Sequence, residues 1–567
     1  MYIGWHNHCD VGSNQRFKDT INRIPDMLDY AHSIGHKGIC FTDHESLSNA
    51  MQVENEFAKR KEQEGWEDFK VALGNEIYLC KDNVAAWNKD PMEFPHFLLV
   101  ALNADGHKQL RELSTKAWSR AFNYKGIMRV PTYFSDLEEI IGANPGNIVA
   151  STACLGGTVP KYILQYRETG DTSFLDVAKQ WIAVIQSVFG EGNFFLEMQS
   201  SDLEDQHYVN KILLKFSEEM NIPYVITTDS HYLTKADKEL HHIYLTSQDA
   251  DRETDDFYSA TYIQTEAEIH GYLDATMGVE AVQRGIDNTC LIYDRIVPYS
   301  LKKPLHIPYM PLNTEEPNEA LFRKYEGLIP CLKEFYESEY DADRHLVREI
   351  TKALERDESF REQAMYDHIN TCLDTIWVSS DKMKTRWSAY LLQLKDYIDI
   401  IWDKGGSIVG IARGSGAGFG LLNVLGITQI NPLKEKTQTY TWRFLNPERA
   451  SVLDIDIDIA ANKRNSIMQA FYEVYGEDRV SKVLTYSTEG SRSAILTVAR
   501  GLGIDNDIAS YIASLIVADR GATRSLRTMY YGDEDNKPVA EFVNIVDKYP
   551  ELWEGALKIE GLVSGVG

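Results

Sequence analysis

The chain has 567 residues, 43% hydrophobic and 25% charged, with a formal net charge of −27. This length exceeds one ordinary domain and points to three or four, and no apolar run approaches the roughly 18 residues that would span a bilayer. The acidic balance excludes a uniformly basic nucleic-acid binder, so any such contact must be local, because exposed charges farther apart than about 8 Å are screened at physiological salt.

The N-terminus, Met1-Tyr2-Ile3-Gly4-Trp5-His6, has neither the basic nor the apolar region of a secretory signal. With seven scattered cysteines, an odd number, this predicts reduced thiols in a cytoplasm. From residue 1 to about 270, short apolar runs alternate with amphipathic helical stretches. Residues 39–42 read as a strand ending at Asp43 and His44, and 71–74 lead to Glu76. Residues 97–101 follow His96, and 224–228 end at Asp229 and His231. Repeated units of this kind predict an α/β barrel, with its chemistry at the C-terminal ends of the strands.

His6-Asn7-His8 places two imidazoles on one face of a strand. Together with His44, Glu76, His96, Cys154, Asp229 and His231 they make eight potential ligands. Imidazole, carboxylate and thiolate suit Zn²⁺, Mn²⁺ or Fe²⁺, and so many ligands imply more than one ion. A lone histidine is a surface or core residue, which is the reading for His32, His36 and His207.

Residues 271 to about 400 are acidic and helix-rich. Pro298, Pro304, Pro308 and Pro311 mark an irregular linker, and 316–354 read as amphipathic helices. Residues 410–418 are glycine-rich: Gly414, Gly416 and Gly418 let backbone approach a phosphate, and Arg413 and Ser415 supply donors. Asp454-Ile455-Asp456-Ile457-Asp458-Ile459 alternates carboxylate and isoleucine, so a strand here turns three carboxylates to one face. Such an array is either a solvated strand edge or a bracket for two metal ions. Beyond it, 491–502 and 504–517 have helical apolar spacing. Candidate nucleic-acid contacts are Arg443, Arg449, Lys463, Arg464, Arg520, Arg524 and Arg527, though any one alone reads as a solvated surface charge.

The segments ARGSGAGFGLLNVLGITQINPL, RFLNPERASVLDIDIDI and YGEDRVSKVLTYSTEGSRSAILTVARGLG resemble, in order, the palm and early thumb of the bacterial replicative DNA polymerases of family C, the polymerase III alpha subunits. The resemblance implies that Asp454 and Asp456 bind the catalytic ions, Mg²⁺ in this family, with Asp458 supporting. It implies that Arg413, Gly414, Ser415 and Arg443 cradle the incoming deoxynucleoside triphosphate. Leu453, Ile459 and Phe419 depart from the family pattern, and none of them removes a charge.

Upstream, HNH, FTDHESLSNA, GNEIYL, FPHFLLVALNADGHKQL, STACLGGTVP and TTDSHYL resemble the PHP domain, named for polymerase and histidinol phosphatase. That domain is a distorted (β/α)₇ barrel holding up to three metal ions, in some members with 3′→5′ exonuclease activity. The resemblance makes Asp19 the ninth ligand, with Asp10 the alternative, and makes Asp43 a carboxylate that orients a ligand.

The expected architecture is therefore an α/β multidomain chain. A PHP barrel (1–270) precedes a beta-type nucleotidyltransferase palm, a mixed sheet flanked by helices (271–485), and a helical thumb (486–567). Expected partners are primer-template DNA, deoxynucleoside triphosphates and a C-terminal polymerase portion with the remaining palm and the fingers, through which a sliding clamp binds; no membrane is involved. The setting is a bacterial or phage-infected cytoplasm. Rival readings are a phosphoesterase working from the barrel alone, and a non-catalytic scaffold.

Overall fold

Seven strands wrap into a nearly closed barrel: β1 (Ile3–Gly4), β2 (Gly38–Phe41), β3 (Lys70–Cys80), β4 (His96–Ala101), β5 (Ile148–Ser151), β6 (Phe194–Gln199) and β7 (Tyr224–Thr227). The computed structural model describes every residue except 13–18, 82–92, 248–255, 438, 450–452, 520 and 567. Arg520 therefore lies outside the described residues. The described chain forms two compact units, Met1–Leu301 with Leu484–Gly567, and Lys302–Val483.

In the first unit the strands pair in chain order. β4 runs antiparallel to both β3 and β5, and the other pairings are parallel. Beyond β1 and β7 a parallel bridge joins Asn7 to Ser230, with the His8 N–H 3.0 Å from the Ser230 carbonyl, and brings the two ends of the sheet together. The residues His6 to His8 thus lie past the short β1 rather than inside a strand.

The period of two along each strand builds the interior. Ile3, Cys40, Ala72, Val100, Val149, Phe195 and Val225, one from each strand, form an apolar layer. Trp5 lies in the same cluster and donates its indole N–H to the Thr289 carbonyl at 2.9 Å. The outward positions, among them Phe97, Leu99, Ala150, Leu196 and Ile226, pack against Ile182 and Ile185 of helix Ser173–Phe189 and Leu213 of helix Glu204–Met220. Helices Glu266–Met277 and Val279–Asn288 join this layer through Ile269, Leu273, Val282 and Ile286.

Residues 484–567 belong to the same unit. Five helices, Ser491–Gly501, Asn506–Ser514, Leu526–Tyr531, Ala540–Val546 and Pro550–Ile559, share a core with Leu240, Ile243 and Tyr244 of helix Lys238–Thr246. Gly501 lies so close to the Ile243 carbonyl that a Cβ there would sit 2.3 Å from the oxygen. Strands β8 (Tyr486–Thr488) and β9 (Val563–Val566) pair antiparallel beside them. Arg23 donates to the carbonyls of Lys558 and Glu560, and Lys558 pairs with Asp237 at 2.5 Å.

The second unit is helical. In helix Asp341–Arg356, Ala342, Leu346, Val347, Ile350, Ala353 and Leu354 repeat at helical spacing and are buried; Asp341 and Asp343 open the helix and Arg356 closes it, as its dipole favours. Helices Gln363–Met383 and Trp387–Asp403 share its core. The sequence predicts a mixed sheet here. Among the described residues of this unit the ladder is a single antiparallel bridge, Val409 to Ile459. Among the described residues of the whole chain, no helix is long and apolar enough to cross a membrane.

Candidate metal centre and acidic segment

Inside the mouth of the barrel lies a ring of histidines around two buried carboxylates. Glu76 is the hub. One of its oxygens lies 2.7 Å from His96 Nδ1 and 3.5 Å from His6 Nε2, and the other lies 2.6 Å from His44 Nδ1 and 3.5 Å from His8 Nε2. Asp229 Oδ1 lies 3.0 Å from His8 Nε2, 3.3 Å from His6 Nε2 and 3.7 Å from His231 Nδ1. Cys154 Sγ is 3.4 Å from His96 Nδ1. All eight candidate ligands read from the sequence thus come together.

Asp19 joins them, its Oδ2 3.6 Å from both His44 Nε2 and His231 Nε2. Asp10 faces elsewhere and accepts from the Val563 N–H. Asp43 accepts from the Cys9 N–H and from Asn49, with His8 Nδ1 3.9 Å away.

Two placements differ from the strand-end expectation, for reasons of strand length and direction. β3 runs on to Cys80, so Glu76 is mid-strand. β4 is reversed, so His96 reaches the same mouth from its first residue. Asp229, itself a candidate ligand, and Ala153, beside Cys154, have φ of 46° and 58°, a left-handed conformation that costs a non-glycine residue of order 1 kcal/mol or more.

The sequence reading missed Glu197. Ser151, Glu197 and Thr227 each stand two residues beyond the apolar layer and so face inward. Glu197 accepts from Ser151 Oγ at 2.5 Å and Thr227 Oγ1 at 2.7 Å, and its Oε1 lies 2.7 Å from His6 Nδ1. With Nδ1–H donating there, His6 presents Nε2 to the centre. The available signal was one carboxylate inside the apolar run Phe-Phe-Leu-Glu-Met. Tyr258 was also missed; its hydroxyl donates to Asp19 Oδ1 at 3.1 Å.

The electrostatics fit cations. Burial opposes charge on His6, but Asp229, Glu197 and Glu76 outweigh it and raise its pKa well above the usual 6.5. Burial, with His44 and His231 alongside, depresses His8 to about 3. Burial also works against charge on Glu76, yet His96, His44 and His6 hold it well below the usual carboxylate value. Burial and the Glu76 and Asp229 carboxylates push the Cys154 thiol up, so a thiolate there needs a cation.

His6 Nε2 and His8 Nδ1 are buried without a hydrogen-bond partner. Three overlapping triplets, His8/His44/His231, His6/His8/Glu76 and His44/Glu76/His96, each keep their ligand atoms within 4.8 Å of one another. Ligands at about 2.0–2.3 Å from an ion are spaced on this scale, so the residues fit transition-metal ions.

The acidic segment of the second unit is built otherwise. Residues 453–458 are extended but outside any ladder. Asp454, Asp456 and Asp458 are exposed, while Ile455 and Ile457 pack on the core. The Gly410 N–H donates to the Asp458 carbonyl at 2.8 Å. Arg413 Nη1 donates to Asp458 at 2.8 Å, and its Nε lies 3.6 Å from Asp456. Gly414, with φ of 65°, opens the tight turn Gly414–Gly418, which includes Ser415. The turn Thr441–Arg443 packs on it through Phe444 over Phe419, ring centroids 4.9 Å apart, and leaves Arg443 exposed. An all-carboxylate set suits a hard ion such as Mg²⁺.

Of the cationic candidates, Arg449, Lys463 and Arg464 are exposed in the second unit. Arg527 is exposed in the first, where Arg524 is half-buried.

The barrel thus carries a histidine-carboxylate-thiol ring in its mouth, and a glycine turn beside an acidic array follows it along the chain. Two family models match this chain: the PHP domain over residues 8–201, and the bacterial DNA polymerase III alpha NTPase domain over residues 344–567. Over these residues the chain thus carries a PHP domain and a polymerase III alpha domain.

It is 38% identical over 593 aligned residues to the probable DNA polymerase YorL of Bacillus subtilis, covering 99% of this chain and 44% of that one. The DNA-directed DNA polymerase of Bacillus phage SPbeta gives the same identity and coverage. The DNA polymerase III alpha subunit of Aquifex aeolicus is 26% identical, covering 98% of this chain and 46% of that one. The chain thus spans less than half the length of these relatives.

Proposed function

We propose that this chain is part of a DNA-directed DNA polymerase and extends a primer 3′ end with deoxynucleotides. The observation that carries the reading is the exposed array of Asp454, Asp456 and Asp458, clasped by Arg413 within the region matched by the polymerase model. On this reading the second unit supplies palm elements and residues 486–567 supply the thumb. Asp454 and Asp456 hold Mg²⁺ with Asp458 in support. Bound there, a pair of ions lowers the pKa of the 3′-hydroxyl and neutralises the triphosphate.

Arg413, which now neutralises Asp456 and Asp458, turns to the incoming triphosphate, together with the Gly414 and Ser415 backbone and Arg443. Arg449, Lys463, Arg464, Arg524 and Arg527 grip the duplex by its backbone, without reading sequence. The resumed palm, the fingers and clamp contacts come from other segments of the whole protein, which works in a reducing cytoplasm. Primer extension by the whole protein, lost in Asp454→Asn, tests this reading; full activity in that variant overturns it.

A second reading concerns the barrel, and the assembled ligand ring favours it. We propose that the centre hydrolyses phosphodiesters from a DNA 3′ end. Zn²⁺, Mn²⁺ or Fe²⁺ bound there supplies an activated water. Glu76 and Asp229 hold the charge, Glu197 orients His6, and the dry apolar layer beneath confines water to the mouth. Mn²⁺-dependent release of 3′ nucleotides, absent in His8→Ala, tests it; a protein that purifies without stoichiometric transition metal and binds none on addition would instead mark the barrel as a scaffold.

A further inference from the structure

We propose that Arg129 is a phosphate-binding subsite at the mouth of the barrel metal centre, taking a phosphodiester anion of a single nucleic-acid strand. The proposal rests on the hydrolytic reading of that centre. It begins with the alternation along β3. Glu76 faces the centre, so Tyr78, two residues on, continues the same face outward. Tyr78 pairs in register with His96, and their ring centroids are 5.0 Å apart.

A short hairpin, Phe122–Tyr124 with Ile127–Arg129, lays Arg129 over this face. Its guanidinium carbon lies 5.5 Å from the Tyr78 ring centroid and 4.6 Å from that of Phe94. Two rings therefore fix the position of the guanidinium one side chain away from a candidate ligand.

The group's donors are unused. Among the described residues, no carboxylate or carbonyl accepts from the Arg129 side chain, and its Nε is buried with no hydrogen-bond partner. Arg120 shows what a satisfied arginine looks like in the same neighbourhood. It lies 4.1 Å over the Tyr133 ring, pairs with Asp136 at 2.9 Å and donates to the Lys116 carbonyl at 3.0 Å.

A desolvated donor left unpaired is costly. A guanidinium held between two rings is preorganised for two oxygens of a phosphate, the geometry a lysine cannot supply. Phe94 also sits 6.2 Å from Phe122 and 5.8 Å from Tyr124. This aromatic group offers faces for a base next to the captured phosphate, which favours a single strand over a small phosphoester.

The test uses the full-length protein with Asp454→Asn and Asp456→Asn, so that ions at the acidic segment do not contribute. Arg129→Ala, Arg129→Gln and Arg129→Lys are compared for Mn²⁺ content, for KM and kcat on a single-stranded oligonucleotide, and for inorganic phosphate affinity by Mn²⁺-enhanced ³¹P relaxation. Expected are unchanged Mn²⁺ content, about tenfold rises in KM and in the phosphate Kd for Ala and Gln, a smaller rise for Lys, and kcat within a few-fold.

Phosphate affinity unchanged in Ala and Gln overturns the proposal, as does loss of Mn²⁺ in all three variants, which makes Arg129 a support of the fold. An Arg129-dependent phosphate affinity in a protein that cleaves no oligonucleotide supports the subsite and defeats the hydrolytic reading instead.

Discussion

In the barrel, Glu76 and Asp229 are at most 3% exposed and lie among five histidines; in the second unit, Asp456 and Asp458 are more than half exposed and meet one arginine. Both arrays gather like charges, and both need cations. Burial makes the difference. At low effective dielectric each contact in the barrel is strong and each unpaired charge expensive, so the ring is fixed by its neighbours down to Ser151 and Thr227. At the exposed array water screens the repulsion, and one exposed pair with Arg413 adds little to stability. On the proposed reading, the barrel centre would be organised before any ion binds, whereas the acidic segment would take its working geometry from what it binds.

The sharpest way to break this comparison is to neutralise one charge at each site. Asp454→Asn or Asp456→Asn in the whole protein should reduce primer extension about a thousandfold, because ion stabilisation of a transition state is worth several kcal/mol. The melting temperature should not move, since exposed substitutions stay within about 0.5 kcal/mol. Asp229→Ala should do the reverse. Breaking a buried charge cluster costs about 3–5 kcal/mol, so the variant should melt earlier, bind less metal and lose 3′ excision, with primer extension kept within a few-fold. Equal melting temperatures for the two variants would remove the distinction between the sites.

A smaller effect tests how far the barrel's organisation extends. Glu197→Gln keeps shape but removes the charge that receives the His6 Nδ1–H. Metal affinity should fall about 10- to 100-fold, the range for groups that orient a metal ligand. Isothermal titration of the metal-stripped protein with Zn²⁺ measures it, and an unchanged affinity would reduce Glu197 to a packing residue.

Much of this arrangement was legible in the chain because it follows local periods. The Asp-Ile alternation of 454–458 gives exposed carboxylates with Ile455 and Ile457 packed between them even without a ladder, since extended backbone alone turns successive side chains apart. The histidines mark the barrel mouth because they stand beside short apolar runs. What stayed hidden depends on closure and on distant partners. Glu197 reads as one polar residue in an apolar strand until the sheet curls and turns it inward. The reversal of β4, which brings His96 to the mouth, leaves no local trace. Nor does the packing of residues 484–567 on helix Lys238–Thr246, which rests on contacts such as the close approach of Gly501 to Ile243 across some 250 residues. Asp10 and Asp19 were the two candidates for the ninth ligand, and the fold separates the one facing Val563 from the one facing His44 and His231.

The last test separates histidines that serve the centre from one that serves the core. His36 is buried in the first unit, with its Nε2–H donating to the Gln264 carbonyl at 3.0 Å and its Nδ1 without a partner. Burial lowers its pKa from the usual 6.5 to about 4. Protonation would place a charge and an unmet donor in the core, so the folded protein keeps His36 neutral while the unfolded chain takes up the proton. The unfolded state therefore binds more protons between about pH 6.5 and 4, and stability falls as the pH falls through that window. At pH 5.5 the unfolded His36 is mostly protonated and the folded one is not, a penalty of about 1 kcal/mol relative to pH 7. His36→Gln keeps a donor for Gln264 and cannot titrate. The other histidines titrate alike in both proteins, so the stability difference between variant and wild type should shift by about 1 kcal/mol in the variant's favour from pH 7 to pH 5.5. Hydrogen exchange of the β2 amides at the two pH values, corrected for intrinsic rates, reads this difference. A difference that does not change with pH would mean that His36 takes up its proton alike in the folded and unfolded states, and that burial does not hold it neutral in the core.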